Sequence, residues 1–224
     1  MTGASTGAAA VVHLAGIATE STWPAISHAN IEGTYCTLEA ARRAGVQRVV
    51  LASSNHAAGY TPRPEQGLLT EADAPHRPDT YYGVAKATME ALGSLYVDRY
   101  GMDVVCLRIG SAFPEPTTLR HLSTWLSPAD TVDLVDAALR AQSPGFSVVW
   151  GVSDNTRRWW DLTAARALGY RPVDDAERFA AALVAAHGEP DLTDPVHARV
   201  GGEYATAEFD AEAIEAQLAD RGER

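Results

Sequence analysis

Four short apolar runs separated by helix-length stretches constrain this chain more than any other feature: residues 10–15 (AVVHLA), 47–52 (QRVVLA), 103–109 (DVVCLRI) and 146–150 (FSVVW). Strands that alternate with helices connect by right-handed crossovers, which force neighbouring strands to run parallel. The pattern therefore predicts an α/β fold with a parallel, doubly wound sheet. One helix is expected over 24–44, with Ile26, Ile31, Cys36, Leu38 and Ala41 as its apolar positions and Gly45 as its stop. A second is expected over 79–100, capped by Asp79 or Thr80 and closed by Gly101. Between them, 53–78 reads as a polar loop rich in Pro and Gly. The tail after Gly188 reads as loop until a short acidic helix over 211–221.

With 224 residues and 46% hydrophobic content, the chain has material for one core. We expect a single domain, with a dinucleotide-binding core over 1–142 and a small substrate-side extension over 143–224 packed on it. A formal charge of -11 argues against nucleic-acid and anionic-membrane partners, because the summed field repels phosphates. No apolar run near the start is long enough to span a bilayer, so a cytoplasmic protein is expected. Cys36 and Cys106 fall in a predicted helix and a predicted strand and read as buried thiols, and the seven His show no metal-ligand spacing.

Of the 18 basic residues, Lys86 alone is lysine. Arginine replaces lysine freely on a solvated surface but not where a compact ammonium on a flexible stem is required. Lys86 stands four residues after Tyr82, in Tyr82-Gly83-Val84-Ala85-Lys86, and that spacing puts both side chains on one helix face. A phenol with a pKa near 10 is too weakly acidic to serve as a base at neutral pH, and a nearby cation lowers it. The pair is thus a usable acid/base unit, although the spacing alone also fits a plain exposed helix face.

The surroundings of this pair carry a resemblance. Ser53-Ser54-Asn55-His56 follows a strand, Arg77-Pro78-Asp79-Thr80-Tyr81-Tyr82 opens the helix, and Leu107-Arg108-Ile109-Gly110-Ser111 ends the next strand. Together they resemble the extended short-chain dehydrogenase/reductase superfamily, also called the epimerase/dehydratase family. Phe113-Pro114-Glu115-Pro116 and Leu122-Ser123-Thr124-Trp125-Leu126-Ser127 look most like its uronate dehydrogenases. The resemblance implies a Rossmann-type fold. It also implies transfer of hydride from the anomeric carbon of a hexuronic acid to NAD, giving an aldarolactone. By the same resemblance Tyr82 is the base, with Lys86 and Ser54 as its catalytic partners. Ser54, Asn55, His56, Ala112 and Arg120 would bind the sugar acid, Arg120 offering its planar fork to the carboxylate. Leu14, Ala15, Gly16, Tyr82, Lys86 and Ser111 would hold the cofactor. Asn30 matches a helical asparagine of the superfamily, or is a satisfied structural amide. Ala18 departs from a polar substrate contact, with Thr19 beside it as the candidate replacement.

A second departure concerns the nucleotide end. The resemblance places the first strands, a glycine-rich pyrophosphate turn and an acidic ribose-binding residue well upstream of Val11, whereas ten residues precede it. Met1 to Gly7 has glycines but no strand before them. The expected sheet is therefore a partial one, lacking strands 1–3 of the full fold, with 10–15 as an apolar edge and weakened cofactor binding. Two other readings stay open: a nucleotide-sugar epimerase or dehydratase, and a truncated non-catalytic remnant. NAD and NADP are not distinguished by these residues. A homo-oligomer is compatible with the long helix over 79–100.

Overall fold

A computed structural model describes residues 7–206. The chain begins with β1 (Ala10–His13), which leads into α1 (Trp23–Ile26), a π-helical turn (Ser27–Glu32) and α2 (Gly33–Arg43). β2 (Arg48–Ser54), α3 (Tyr81–Tyr100) and β3 (Asp103–Ile109) follow. A two-residue strand β4 (Ser111–Ala112), the turn α4 (His121–Thr124) and β5 (Trp125–Leu126) precede α5 (Pro128–Arg140) and β6 (Phe146–Gly151). The remaining helices are α6 (Thr163–Leu168), α7 (Ala180–His187) and α8 (Pro195–Ala198).

The main sheet has the order β1-β2-β3-β6 with every pair parallel, as the alternating pattern predicts. Successive side chains on each strand serve opposite faces. On one face Val49, Leu51, Val104 and Cys106 pack with Leu38 and Ala41 of α2 and Met89 and Tyr96 of α3. Val50, Val105 and Leu107 face the other side, against Leu134, Ala137 and Ala138 of α5. Segments beyond β6 complete this second layer: Trp150 stacks on Trp160 with centroids 4.7 Å apart, and Val200 is fully buried. β6 lies beyond residue 142, yet it is the fourth strand of the sheet.

Several expectations need correction. β1 stops at His13, and Leu14, Ala15 and Gly16 form an exposed loop. β1 is the edge strand of the sheet, as expected, with Val12 exposed and His13 buried. The helix over 24–44 is interrupted, because 27–32 widens into a π turn. Such single wide turns shift side chains around the axis, and here the shift brings Asn30 to bear on the preceding loop. The loop 53–78 is not wholly irregular: β2 runs on to Ser54, Asn55–Ala58 forms a 3₁₀ turn, and Leu69 and Ala74 are buried. Pro128–Arg140 was unmarked in the pattern but is a full helix, with Pro128 in its first turn and Ser127 as N-cap accepting from Asp130 N. The tail after Gly188 contains α8 and a 3₁₀ turn at Gly202–Ala205. The acidic helix expected over 211–221 and the segment Met1–Thr6 lie outside the described residues. Cys106 is buried and Cys36 half-buried, both as free thiols. Among the described residues, no helix is long and apolar enough to cross a membrane.

Candidate active site

The carboxyl ends of β1, β2 and β3 open on the same edge of the sheet, which is where open α/β sheets bind ligands. A cavity of about 510 Å³ lies there, walled by the loop after β1, Ser54 and His56 after β2, Tyr82 and Lys86 on α3, and the segment after β3.

α3 is positioned by an unusually well-capped start. Thr80, rather than Asp79, is the N-cap, its hydroxyl accepting from Gly83 N at 3.0 Å. Buried Glu20 adds a second anchor, accepting from Tyr81 N at 3.2 Å and Tyr82 N at 2.8 Å. A carboxylate at a helix N-terminus meets both free N–H groups and the positive end of the dipole. Gly83 is required by packing, because a Cβ there would lie 2.5 Å from the His56 carbonyl oxygen. At the other end Gly101 closes the helix in the left-handed region, as expected from the sequence.

Tyr82 and Lys86 are both buried and share the cavity-facing side of α3, with Nζ 5.3 Å from the phenol ring centroid. Nζ donates to the Ala52 carbonyl at 2.5 Å and has no carboxylate partner among the described residues. Burial therefore pulls the Lys86 ammonium down to about 8. The expected lowering of Tyr82 does not occur: burial pushes its phenol up to about 12, with only a hydrogen bond from Ser54 acting the other way. Lys86, whose ammonium donates to the Ala52 carbonyl, is not among the groups that move it.

The remaining predicted residues divide into those that face the cavity and those that hold its walls. Ser54 sits at the end of β2 and caps the following turn by accepting from His56 N at 3.3 Å. Asn55 lines the cavity while its Nδ2 donates to the Val200 carbonyl at 2.7 Å. His56 is held by Asp79 through Nδ1 at 2.7 Å and stacks on Tyr204, with centroids 4.4 Å apart. Arg120 lines the cavity, but Nη1 donates to the carbonyls of Val196 at 2.8 Å and Arg199 at 3.1 Å, and Nη2 to Val200 at 2.5 Å. Its fork is thus partly spent on the 196–200 strap, leaving Nε and one Nη2 proton. Ser111 shares a hydrogen bond with Thr124 at 2.8 Å, and Ala112 lines the wall beside it.

On the cofactor side, Leu14 and Gly16 line the cavity while Ala15 does not. Asn30 proves to be the clamp of this loop: its Oδ1 accepts from Ile17 N at 2.8 Å and its Nδ2 donates to Ile17 O at 2.9 Å. Gly16 adopts φ +143°, and a Cβ there would lie 2.9 Å from Asn30 Oδ1, so the loop can pass this close only as glycine. Ala18 lines the cavity, whereas Thr19 is engaged with the Tyr204 hydroxyl at 2.5 Å. Thr19 therefore does not replace the missing polar contact.

Asp79, His121 and Tyr204 were not marked as site residues by the sequence. Asp79 resembled a simple cap, and Tyr204 reaches the site only because the chain returns from a distant position. Nothing local to them signals either role.

The model of the NAD dependent epimerase/dehydratase family matches residues 2–187. The uronate dehydrogenase of Pseudomonas putida is 44% identical over 201 residues, covering 90% of this chain and 74% of its own length. That of Agrobacterium fabrum is 42% identical over 194 residues, covering 87% and 72% respectively. Among solved structures, a mutant uronate dehydrogenase from Agrobacterium tumefaciens complexed with NAD superposes with a TM-score of 0.84 at 40% identity, covering 93% of this chain and 78% of that one.

Proposed function

Because this chain belongs to the NAD-dependent epimerase/dehydratase family, we propose that it oxidises the anomeric carbon of a hexuronic acid with NAD, forming an aldarolactone. The convergence of the Tyr82 phenol, the Ser54 hydroxyl and the Lys86 ammonium on one cavity at the carboxyl edge of the sheet carries this reading.

The residues present fit the nicotinamide end of a dinucleotide. Lys86 has a buried ammonium with donors to spare, and the Leu14–Gly16 loop exposes small residues and backbone where a flat group can approach. Leu14, Gly16, Lys86 and Ser111 would hold the cofactor, with Ala15 behind them. When bound, NAD supplies the hydride acceptor.

Tyr82, as phenolate, takes the proton from the anomeric hydroxyl. Its O–H bond forms as the sugar O–H breaks, the oxygen's electron pair becomes the second bond of the new carbonyl, and the anomeric C–H bond breaks, its electron pair leaving as the hydride that NAD would accept. Ser54 orients that oxygen through its hydroxyl. Lys86 stabilises the phenolate once its ammonium is drawn toward charge rather than toward the Ala52 carbonyl. His56, aimed by Asp79, is available to a sugar hydroxyl, and Arg120 supplies the positive charge that a carboxylate needs in an acidic protein. A cytoplasmic setting belongs to the same proposal.

The test is the growth of reduced-nicotinamide absorbance with galacturonate, glucuronate and their neutral parent sugars. Turnover of the acids, with a loss of about a hundredfold or more in Tyr82→Phe, is the expected outcome. Folded protein that turns over neither acid would overturn the reading.

A further inference from the structure

His121 follows Arg120 at the start of α4 and lines the same cavity. Two contacts fix it. The Thr117 backbone N–H donates to Nδ1 at 3.1 Å, with the Thr117 hydroxyl 3.3 Å from the same nitrogen. Phe113 lies stacked against the imidazole, with ring centroids 5.1 Å apart.

A backbone N–H only donates, so Nδ1 accepts and the neutral ring must carry its proton on Nε2. That nitrogen has no protein partner among the described residues. Burial, reinforced by the charge of Arg120, pulls the ring down to about 4, so it stays neutral under ordinary conditions. The wall therefore holds a fixed, neutral donor next to a guanidinium whose own fork is partly committed to backbone carbonyls. Glu203 also lines this cavity and would repel an acid, which makes a second donor beside Arg120 the more useful.

We propose that His121 is a binding and specificity residue for the sugar acid, donating from Nε2–H to a carboxylate oxygen alongside Arg120. The inference rests on the uronate reading above. A preset donor discriminates because a ligand without a strong acceptor at that point leaves it unpaired.

His121→Phe keeps the stacking on Phe113 and deletes the donor, while His121→Gln keeps a donor. In the Phe variant KM for galacturonate is expected to rise about tenfold or more, as loss of a hydrogen bond to a charged group implies. Its kcat should change little, kcat/KM for galactose should not fall, and His121→Gln should recover most of the loss. An unchanged KM in His121→Phe, or equal losses for acid and neutral sugar, would overturn the role of His121 while wild-type turnover leaves the dehydrogenase reading intact. Nitrogen-15 spectra of the wild-type histidine rings test the inference without turnover. The Nε2–H tautomer is expected for His121, with a shift on adding galacturonate but not galactose. The opposite tautomer, or an unmoved signal at saturating galacturonate, would overturn it.

Discussion

Glu90 and Arg108 meet in a two-pronged pair between α3 and β3, Nε to Oε1 at 3.0 Å and Nη2 to Oε2 at 2.8 Å, with both side chains shut off from solvent. Ser53 donates to Oε1 at 2.6 Å, His76 bonds Oε2 at 2.8 Å, and Arg108 Nη1 donates to the Ala74 carbonyl at 2.7 Å. Glu90 stands one turn beyond Lys86 on α3, and Ser53 precedes Ser54. The cluster thus ties the helix that carries the base to the strand end that carries its hydroxyl partner.

Removing one member of such a buried pair leaves the other charge unpaired, at a cost of about 3–5 kcal/mol. Glu90→Gln should lower unfolding stability in urea by that order. Burial opposes the charged form of Glu90, but the hydrogen bonds from His76, Arg108 and Ser53 overcome it and hold the carboxyl below its ordinary range. A depressed folded pKa means the contribution is complete above the unfolded value, near 4.3, and is lost as pH falls below it. The stability gap between wild type and variant should therefore narrow on acidification below about pH 4, and a gap independent of pH would count against this assignment.

Lys86 poses the opposite case. Its folded pKa, about 8, lies below the ordinary lysine value of 10.5, so the folded protein binds fewer protons than the unfolded chain between these limits. Its charge costs stability at neutral pH, and the cost is relieved as pH rises from about 8 to 10.5. Lys86→Met should therefore be more stable than wild type at pH 7, by on the order of 1–3 kcal/mol, while losing most turnover. The difference in melting between the two should stay nearly level from pH 7 to about 8 and shrink from there to pH 9.5. A variant less stable than wild type at pH 7 would show that the ammonium is better paired than its single carbonyl contact indicates.

Arg120 braces the strap formed by Val196, Arg199 and Val200 and faces the cavity as well. Arg120→Lys supplies a charge but not the planar fork, and one ammonium is poorly shaped to serve three carbonyls and a carboxylate together. KM for galacturonate is expected to rise about tenfold or more, and stability to fall by about 1–3 kcal/mol. Measuring both separates the two duties: a stability loss with unchanged KM would reduce Arg120 to a brace.

Some of this was readable from short stretches of chain. DVVCLRI forms β3 over the predicted residues 103–109, and Gly101 ends α3 where a left-handed residue was required. Tyr82 and Lys86 share a face because four residues nearly complete a helical turn. These features depend on neighbours a few positions away, and so are written locally.

Distant contacts set the rest. Whether Tyr82 would be acidified or hardened depended on how deeply α3 is buried, and burial won. Arg108 looked like any strand residue until α3 brought Glu90 to it, and Arg120 looked free until the chain returned 76 to 80 positions later to claim its fork. His121 carries no local signal, and its tautomer is decided by one backbone N–H and the wall it faces. The alternating elements, their caps and the spacing of the acid/base pair are written in short stretches of residues, because propensity and periodicity act over a few positions. Which polar groups are desolvated, and which donors remain for a ligand, follows from the packing, because those energies depend on whatever the fold sets against each side chain.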